Sequence, residues 1–437
     1  MRANRTTLLD FIYITSLFIL SYVYWYLEMS EILLVILVFL ASLNVLILKR
    51  PHVNLMITFL IISGLNGFLI NFNTDDGIVL SEFLYLVILA GVTVSLVLFD
   101  MFRLRKGFVF NNSVLAGILF LVTMIPSFFF TDNFQKSLIW SLIYLVGFLL
   151  YLIFRLYKEI TLEHFSLVVV FFTFLVIIQM FTVFYEGDMI YMISNEIIRV
   201  DLITSNRIGQ FIAYAIPFTV YLAIRSSRFS FIYYCLVIVE VLSLFMTGGR
   251  SGMLSFAIIL IPLLILVFMS HSKTMLFVNF IIFIVAMYFI YSYANELGII
   301  DTIVERIEKM GLADNGRYQL WKQFPENFLT HPFVGSGIFT NKPIIGMDSY
   351  HNVIFDVVAT TGIIGFGGFL YFFIIIFKNV IIKISIEKVI VGLGVIVYFV
   401  TALLDTTFYN PVATIFIFIS IMFIEDKQKY KVSLWKN

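Results

Sequence analysis

Charge is scarce in this chain. Only 13% of its 437 residues are Asp, Glu, Lys or Arg, roughly half the share of a water-soluble domain. Apolar runs of about 18 residues or more recur from end to end, so the chain reads as an all-α polytopic membrane protein rather than a soluble one. Cysteine is nearly absent as well. The single one, Cys235, lies inside an apolar run, which excludes a disulfide framework and a thiolate metal site. The net charge of +1 and the lack of a basic cluster give nucleic acid nothing to bind. No small-residue cleavage site follows the first apolar run. Glu28-Met29-Ser30-Glu31 leads straight into the next, so the first run is expected to stay as a span and not to be removed as a signal peptide. Metal-ligand spacings, a Gly-rich phosphate loop with lysine and a Ser/His/Asp arrangement are missing too. So are an internal repeat and the matched broken helices of a transporter.

What is present is apolar length. Runs of about 17–25 residues predict fourteen transmembrane helices. Their cores are 8–27, 31–48, 53–72, 79–99, 113–130, 134–154, 164–185, 208–224, 229–247, 252–269, 274–293, 352–377, 389–404 and 411–424. They form one integral-membrane domain, residues 1–437, within which 294–351 and 186–207 are the two longer polar loops. An even number of spans puts both termini on one side. Nineteen of the 28 lysines and arginines fall on that side; the other nine are Lys136, Arg199, Arg207, Arg250, Arg306, Lys309, Arg317, Lys322 and Lys342. Both termini are therefore expected in the cytoplasm, with the two polar loops outside. Only His331 and His351 of the five histidines then face outward.

The 294–351 loop, between spans eleven and twelve, is expected to be partly helical. Asp301 is placed to cap a helix over Thr302 to Met310, and Asp314 or Asn315 to cap one over Arg317 to Phe324, ended or kinked by Pro325. Tyr318 and Trp321 would then sit at headgroup depth. Gly335-Ser336-Gly337 reads as a tight turn allowing close backbone approach. Gly362, Gly365, Gly367 and Gly368 suit close helix packing, and Pro217 and Pro262 suit kinks.

Three residues stand out for chemistry. His351 sits at the start of the twelfth span, where the helix dipole disfavours an imidazolium and leaves a group suited to taking a proton from a hydroxyl. An interfacial histidine bound to a headgroup or a loop carbonyl is the plainer reading. Arg250 follows two glycines in Thr247-Gly248-Gly249-Arg250-Ser251-Gly252, and its planar fork matches a phosphate, either a substrate's or a lipid's. Arg317 has the same choice between phosphate and a solvated ion pair. Glu240 and Asp356 are carboxylates inside spans, each readable as a functional group or a hydrogen-bonded packing contact.

Taken together, Asn315-Gly316-Arg317-Tyr318-Gln319-Leu320-Trp321, Pro332-Phe333-Val334-Gly335-Ser336-Gly337 and His351-Asn352 resemble the signature of the O-antigen ligase and polysaccharide polymerase superfamily. Thr247 to Gly252 fits its arginine motif, and Arg199 with Asn206 resembles its earlier outward loop. Thr204-Ser205-Asn206 stands where that family often has Asn-Pro-Asn. The resemblance spans about Arg199 to Gly365. It implies a GT-C-like membrane glycosyltransferase, without metal or other cofactor, acting on glycans carried by undecaprenyl pyrophosphate. His351 would be the general base, and Arg250 and Arg317 would hold the pyrophosphate. Arg199, Arg207, Asn206, Trp321 and Asn352 would bind substrate. Partners implied are the lipid-linked glycan, the bilayer and other polysaccharide-export proteins. The leading expectation is a polymerase of capsular, exo- or O-antigen repeat units, inverting by direct attack; a ligase shares the motifs, and a lipid-linked glycan flippase is the alternative from another class.

Overall fold

The computed structural model describes residues 8–27, 108–157, 160–195, 198–200, 203–226, 229–270, 316–338 and 349–425, together with shorter stretches. In chain order the elements are α1 (Leu8–Tyr26), β1 (Phe108–Val109), α2 (Asn112–Met124), α3 (Phe134–Phe154), α4 (Leu162–Glu186), α5 (Met189–Asn195), β2 (Arg199–Val200) and β3 (Ile203–Thr204). There follow α6 (Ser205–Arg225), α7 (Ser230–Thr247), α8 (Arg250–Ser270), α9 (Arg317–Lys322), α10 (Phe324–Thr330), α11 (Val353–Ile381), α12 (Ile386–Leu404), α13 (Pro411–Ser420) and β4 (Lys431–Val432). The two-residue strands pair antiparallel, β1 with β4 and β2 with β3.

Eight of the described helices are long and apolar enough to cross a membrane, and Val412–Phe423 is a shorter apolar one. Helices α1 to α4, α6 to α8 and α11 to α13 fall on predicted cores. The predicted spans 31–48, 53–72, 79–99 and 274–293 lie mostly outside the described residues; of the predicted helix over Thr302 to Met310, Thr302, Val304 and Glu305 are described and helical, and the rest lies outside.

Helix α6 is the axis of the described bundle. It packs against α4, α7, α8 and α12, and 89% of its apolar window is buried. Its first half carries Ser205, Asn206, Arg207, Gln210 and Tyr214, polar groups that lipid tails would not satisfy and protein neighbours can. Close approach is built from glycines. A β-carbon at Gly252 on α8 would lie 2.7 Å from the carbonyl oxygen of Gly209 on α6, and one at Gly249 would lie 3.3 Å from the Asn206 Cα. Gly248, at φ 62°, ends α7 in the left-handed conformation that frees a sharp turn into α8. The Thr247–Gly252 motif is thus clamped onto the N-terminal turns of α6. Pro217 and Pro262 both lie inside their helices.

Helix α11 is broken at Gly362, at φ 65° and ψ −171°. The break removes two helical rungs, and the segment after α10 completes them. Ile363 N donates to Pro332 O at 3.0 Å and Ile364 N to Phe333 O at 3.2 Å, while Ser336 N donates to Ala359 O at 3.1 Å and Gly337 N to Thr360 O at 3.0 Å. Inside a bilayer such backbone groups need a partner, and here another segment of the chain supplies all four. Gly335 and Gly337 adopt φ of 75° and 99°. A β-carbon on Gly335 would collide with the Thr360–Thr361 backbone, and one on Gly362 with that of Phe333–Val334. The Pro332–Gly337 motif is therefore a splice into a broken helix. Gly365 faces Thr361 and Gly368 faces Thr123 of α2, whereas a β-carbon on Gly367 would meet nothing within 4 Å, so that glycine takes no part in the packing expected of it.

Candidate active site

His351 sits between this splice and the start of α11. Asn352 caps the helix, its Oδ1 accepting from Ile354 N at 3.0 Å and Phe355 N at 3.3 Å, and its Nδ2 donates to Leu403 O at 3.1 Å. The amide of Asn352 thereby ties α11 to the end of α12. His351 itself has φ 54°, a left-handed conformation that a β-carbon disfavours. Its imidazole Nδ1 lies 3.2 Å from Asp405 Oδ1, and the side chain keeps 32% of its surface exposed against 7% for Asp405.

Asp405 closes α12 and is the centre of a polar cluster. Burial pushes its carboxyl upward, but the hydrogen bond and charge of His351, the Thr406 backbone N–H and the charge of Arg317 outweigh it and hold the group below the usual carboxylate range. An ionised carboxylate only accepts hydrogen bonds. The proton in this contact therefore sits on His351 Nδ1, and in the neutral ring Nε2 carries the free lone pair. Thr406 N also donates to Asp405 Oδ1 at 2.7 Å.

The other Asp405 oxygen leads to the arginine motif. Gln210 Nε2 of α6 lies 3.3 Å from Asp405 Oδ2 and 3.3 Å from Ser251 Oγ, the residue after Arg250. Arg207, one turn before Gln210, reaches Thr406 Oγ1 at 3.5 Å. Arg250 and Arg207 are each partly buried where α6 and α8 begin. His351, Arg207 and Arg250 thus belong to one end of the bundle, joined through Asp405, Gln210 and Ser251, with the charge of Arg317 acting on the same carboxylate.

Helices α9 and α10 brace this end. Gly316, left-handed at φ 79°, stands at the start of α9; Asp314 and Asn315, expected to cap this helix, lie outside the described residues. Pro325 lies in the first turn of α10 and so starts that helix while it limits α9. Trp321 is partly buried, and its indole N–H donates to Tyr350 O at 3.0 Å; Asn327 Nδ2 donates to the Tyr350 hydroxyl at 2.9 Å. Phe324 stacks on Phe355 of α11 with ring centroids 4.6 Å apart. Burial, opposed by Asn327 and aided by the charge of Asp356, pushes the Tyr350 phenol up to about 12. Tyr350 is thus a neutral structural post and offers no competing base. Arg199 pairs with Thr204 in the short β2–β3 hairpin that leads into α6, and Asn206 packs under Gly249.

Asp405 and Gln210 were not singled out in the sequence. Asp405 is 54 positions from His351, at the end of an apolar span. The signal that marks it is span parity, since counting spans puts it at the same end as Arg250 and His351. Glu240 lies away from this cluster, buried in α7, and accepts from Thr219 Oγ1 of α6 at 2.7 Å.

Residues 235–370 match the family model described as O-antigen ligase. That stretch runs from within α7 to within α11 and includes Arg250, Arg317 and His351, while Arg199, Asn206, Arg207 and Asp405 lie outside it. No curated protein matches the chain significantly.

Proposed function

Given that residues 235–370 carry an O-antigen ligase family domain, we propose that the chain is a membrane glycosyltransferase that polymerises oligosaccharide repeat units carried on undecaprenyl pyrophosphate. The observation that carries this reading is the contact of His351 Nδ1 with Asp405, continued through Gln210 to the Arg250 segment. It offers an aimed proton acceptor beside cations suited to a diphosphate.

In the proposed reaction the acceptor sugar hydroxyl gives its proton to His351 Nε2 as its oxygen attacks the anomeric carbon of the donor. The bond from that carbon to the pyrophosphate oxygen breaks, and undecaprenyl pyrophosphate leaves with the electron pair. Direct displacement inverts the anomeric centre. Asp405 holds the ring in the reactive tautomer and stabilises the imidazolium that forms, as the aspartate of a hydrolase triad does. Arg250 and Arg317, supported by Arg199 and Arg207, neutralise the charge growing on the leaving group, and guanidinium forks match its paired oxygens. Asn206 supports the Arg250 turn. Trp321 and Asn352 serve the site through the Tyr350 carbonyl and the α11 cap. The protein works at the outer face of a bacterial cytoplasmic membrane, where a lipid-linked donor is available and nucleotide sugars are not.

The family description favours one second reading, a ligase that moves finished glycan to another acceptor. Purified protein in proteoliposomes separates the two. Fed only lipid-linked repeat units, a polymerase makes a ladder of products; a ligase makes none until a second acceptor is added. Ion-coupled movement of the lipid with no glycosyl transfer in either arm would refute both.

A further inference from the structure

Two carboxylates meet the His351 turn. Asp405 holds the ring, and the other, Asp356, lies one turn into α11 with 1% of its surface exposed. Both of its oxygens are directed back at the loop. Oδ1 accepts from Tyr350 N at 2.7 Å, and Oδ2 accepts from Ser349 Oγ at 2.8 Å. The same Ser349 oxygen accepts from His351 N at 2.9 Å. Ser349 and Tyr350 are themselves buried, at 3% and 0% exposure. The carboxylate therefore fixes two consecutive residues directly and the third through a hydroxyl, and that third is the residue with φ 54°. A left-handed histidine persists only where its surroundings over-determine it, and these three hydrogen bonds are such surroundings.

We propose that Asp356, acting through Ser349, is a positioning residue that holds the His351 backbone in its left-handed turn and so delivers the imidazole to Asp405 and the acceptor hydroxyl. This rests on the base role given to His351 above. Asp356 touches no substrate and moves no proton. Its carboxylate also favours the N-terminus of α11 through the helix dipole, but a dipole contribution needs no serine relay. Ser349 therefore separates the two accounts.

The test compares steady-state rates of Ser349→Ala, Ser349→Thr, Asp356→Asn and His351→Ala in proteoliposomes. The substrate is the undecaprenyl-pyrophosphate-linked repeat unit from the source cells, and formation of the first dimeric product is followed. Losing the relay frees the turn by a fraction of an ångström to an ångström, a misplacement worth about 100-fold in rate. Ser349→Ala should thus lower kcat by about 100-fold while KM stays within about two-fold, because the arginines that bind the donor are untouched. Ser349→Thr restores the hydroxyl and should recover the rate to within about five-fold of the original. Asp356→Asn keeps one acceptor for Tyr350 N and should fall between the two.

A Ser349→Ala rate within about three-fold of the original, beside an inactive His351→Ala, overturns the positioning role and leaves the base role standing. A loss carried by KM also overturns it, by showing an effect on donor binding. An active His351→Ala removes the base, and the positioning role falls with it. Should Asp356→Asn fail to fold, the two Ser349 variants decide the matter alone.

Discussion

A neutral imidazole has one lone pair to offer, and Asp405 decides which nitrogen carries it. Asp405→Asn can present its amide N–H to Nδ1 and so favour the wrong tautomer. It is expected to cost about 10²–10⁴ in kcat, with the protein still folded, in steady-state assays of chain extension. Arg250→Lys keeps the charge and loses the fork. Turnover should fall by about 10-fold or more, and unchanged turnover would argue against bidentate binding of the diphosphate. Asp405 also makes a stability prediction. Its carboxyl is held low in the fold despite burial, by His351, Thr406 N and Arg317. A group with a depressed folded value stabilises the protein fully above its unfolded value, about 3.9, and loses that contribution as pH falls through the folded value. The difference in thermal midpoint between the original protein and Asp405→Asn should therefore be largest near neutrality and shrink below about pH 4. At this scale His351, Arg250 and Arg317 were legible because each interrupts apolar or motif context. Asp405 and Gln210 were not, since their meaning comes from a fold that brings α6, α8 and α12 together.

The broken helix accounts for a motif whose role composition alone leaves open. Pro332 to Gly337 gives and receives the backbone hydrogen bonds that α11 forgoes at Gly362. The glycines at 335 and 362 are where the two segments cross, and both have positive φ. An alanine at either position meets backbone that cannot swing aside, on top of a strain of about 1–3 kcal/mol for the conformation itself. Gly335→Ala and Gly362→Ala should therefore lower the thermal midpoint in detergent sharply, and Gly367→Ala, with open space around it, should not. The sequence pointed to close approach along this helix, but not to the break. Glycines in a span look alike until a partner segment is known.

At the scale of the whole molecule, polar chemistry among the described residues gathers at the two ends of an apolar bundle, apart from the buried Glu240–Thr219 pair inside it. At the end opposite His351, Arg155 Nε pairs with Glu425 Oε2 at 2.6 Å, their side chains 8% and 0% exposed, and the Tyr151 hydroxyl donates to the same carboxylate. This cluster ties the segment after α13 to the end of α3. Removing one partner of a buried pair leaves an uncompensated charge, at a cost of about 3–5 kcal/mol. Glu425→Ala should lower the thermal midpoint, while the folded fraction keeps its rate per molecule. The spans over the described helices were readable from apolar length alone, because a bilayer permits few alternatives. Which helix lies at the centre was less plain, although α6, with its polar first half, carried the sign. The central claim concerns one nitrogen atom and the cations beside it. It is tested most directly by single-turnover release of undecaprenyl pyrophosphate from a lipid-linked repeat unit, given a second unit as acceptor, by the original protein and by His351→Ala in the same proteoliposomes. The account predicts release coupled to a dimeric glycan from the original protein and neither product from the variant; equal release from both would contradict it.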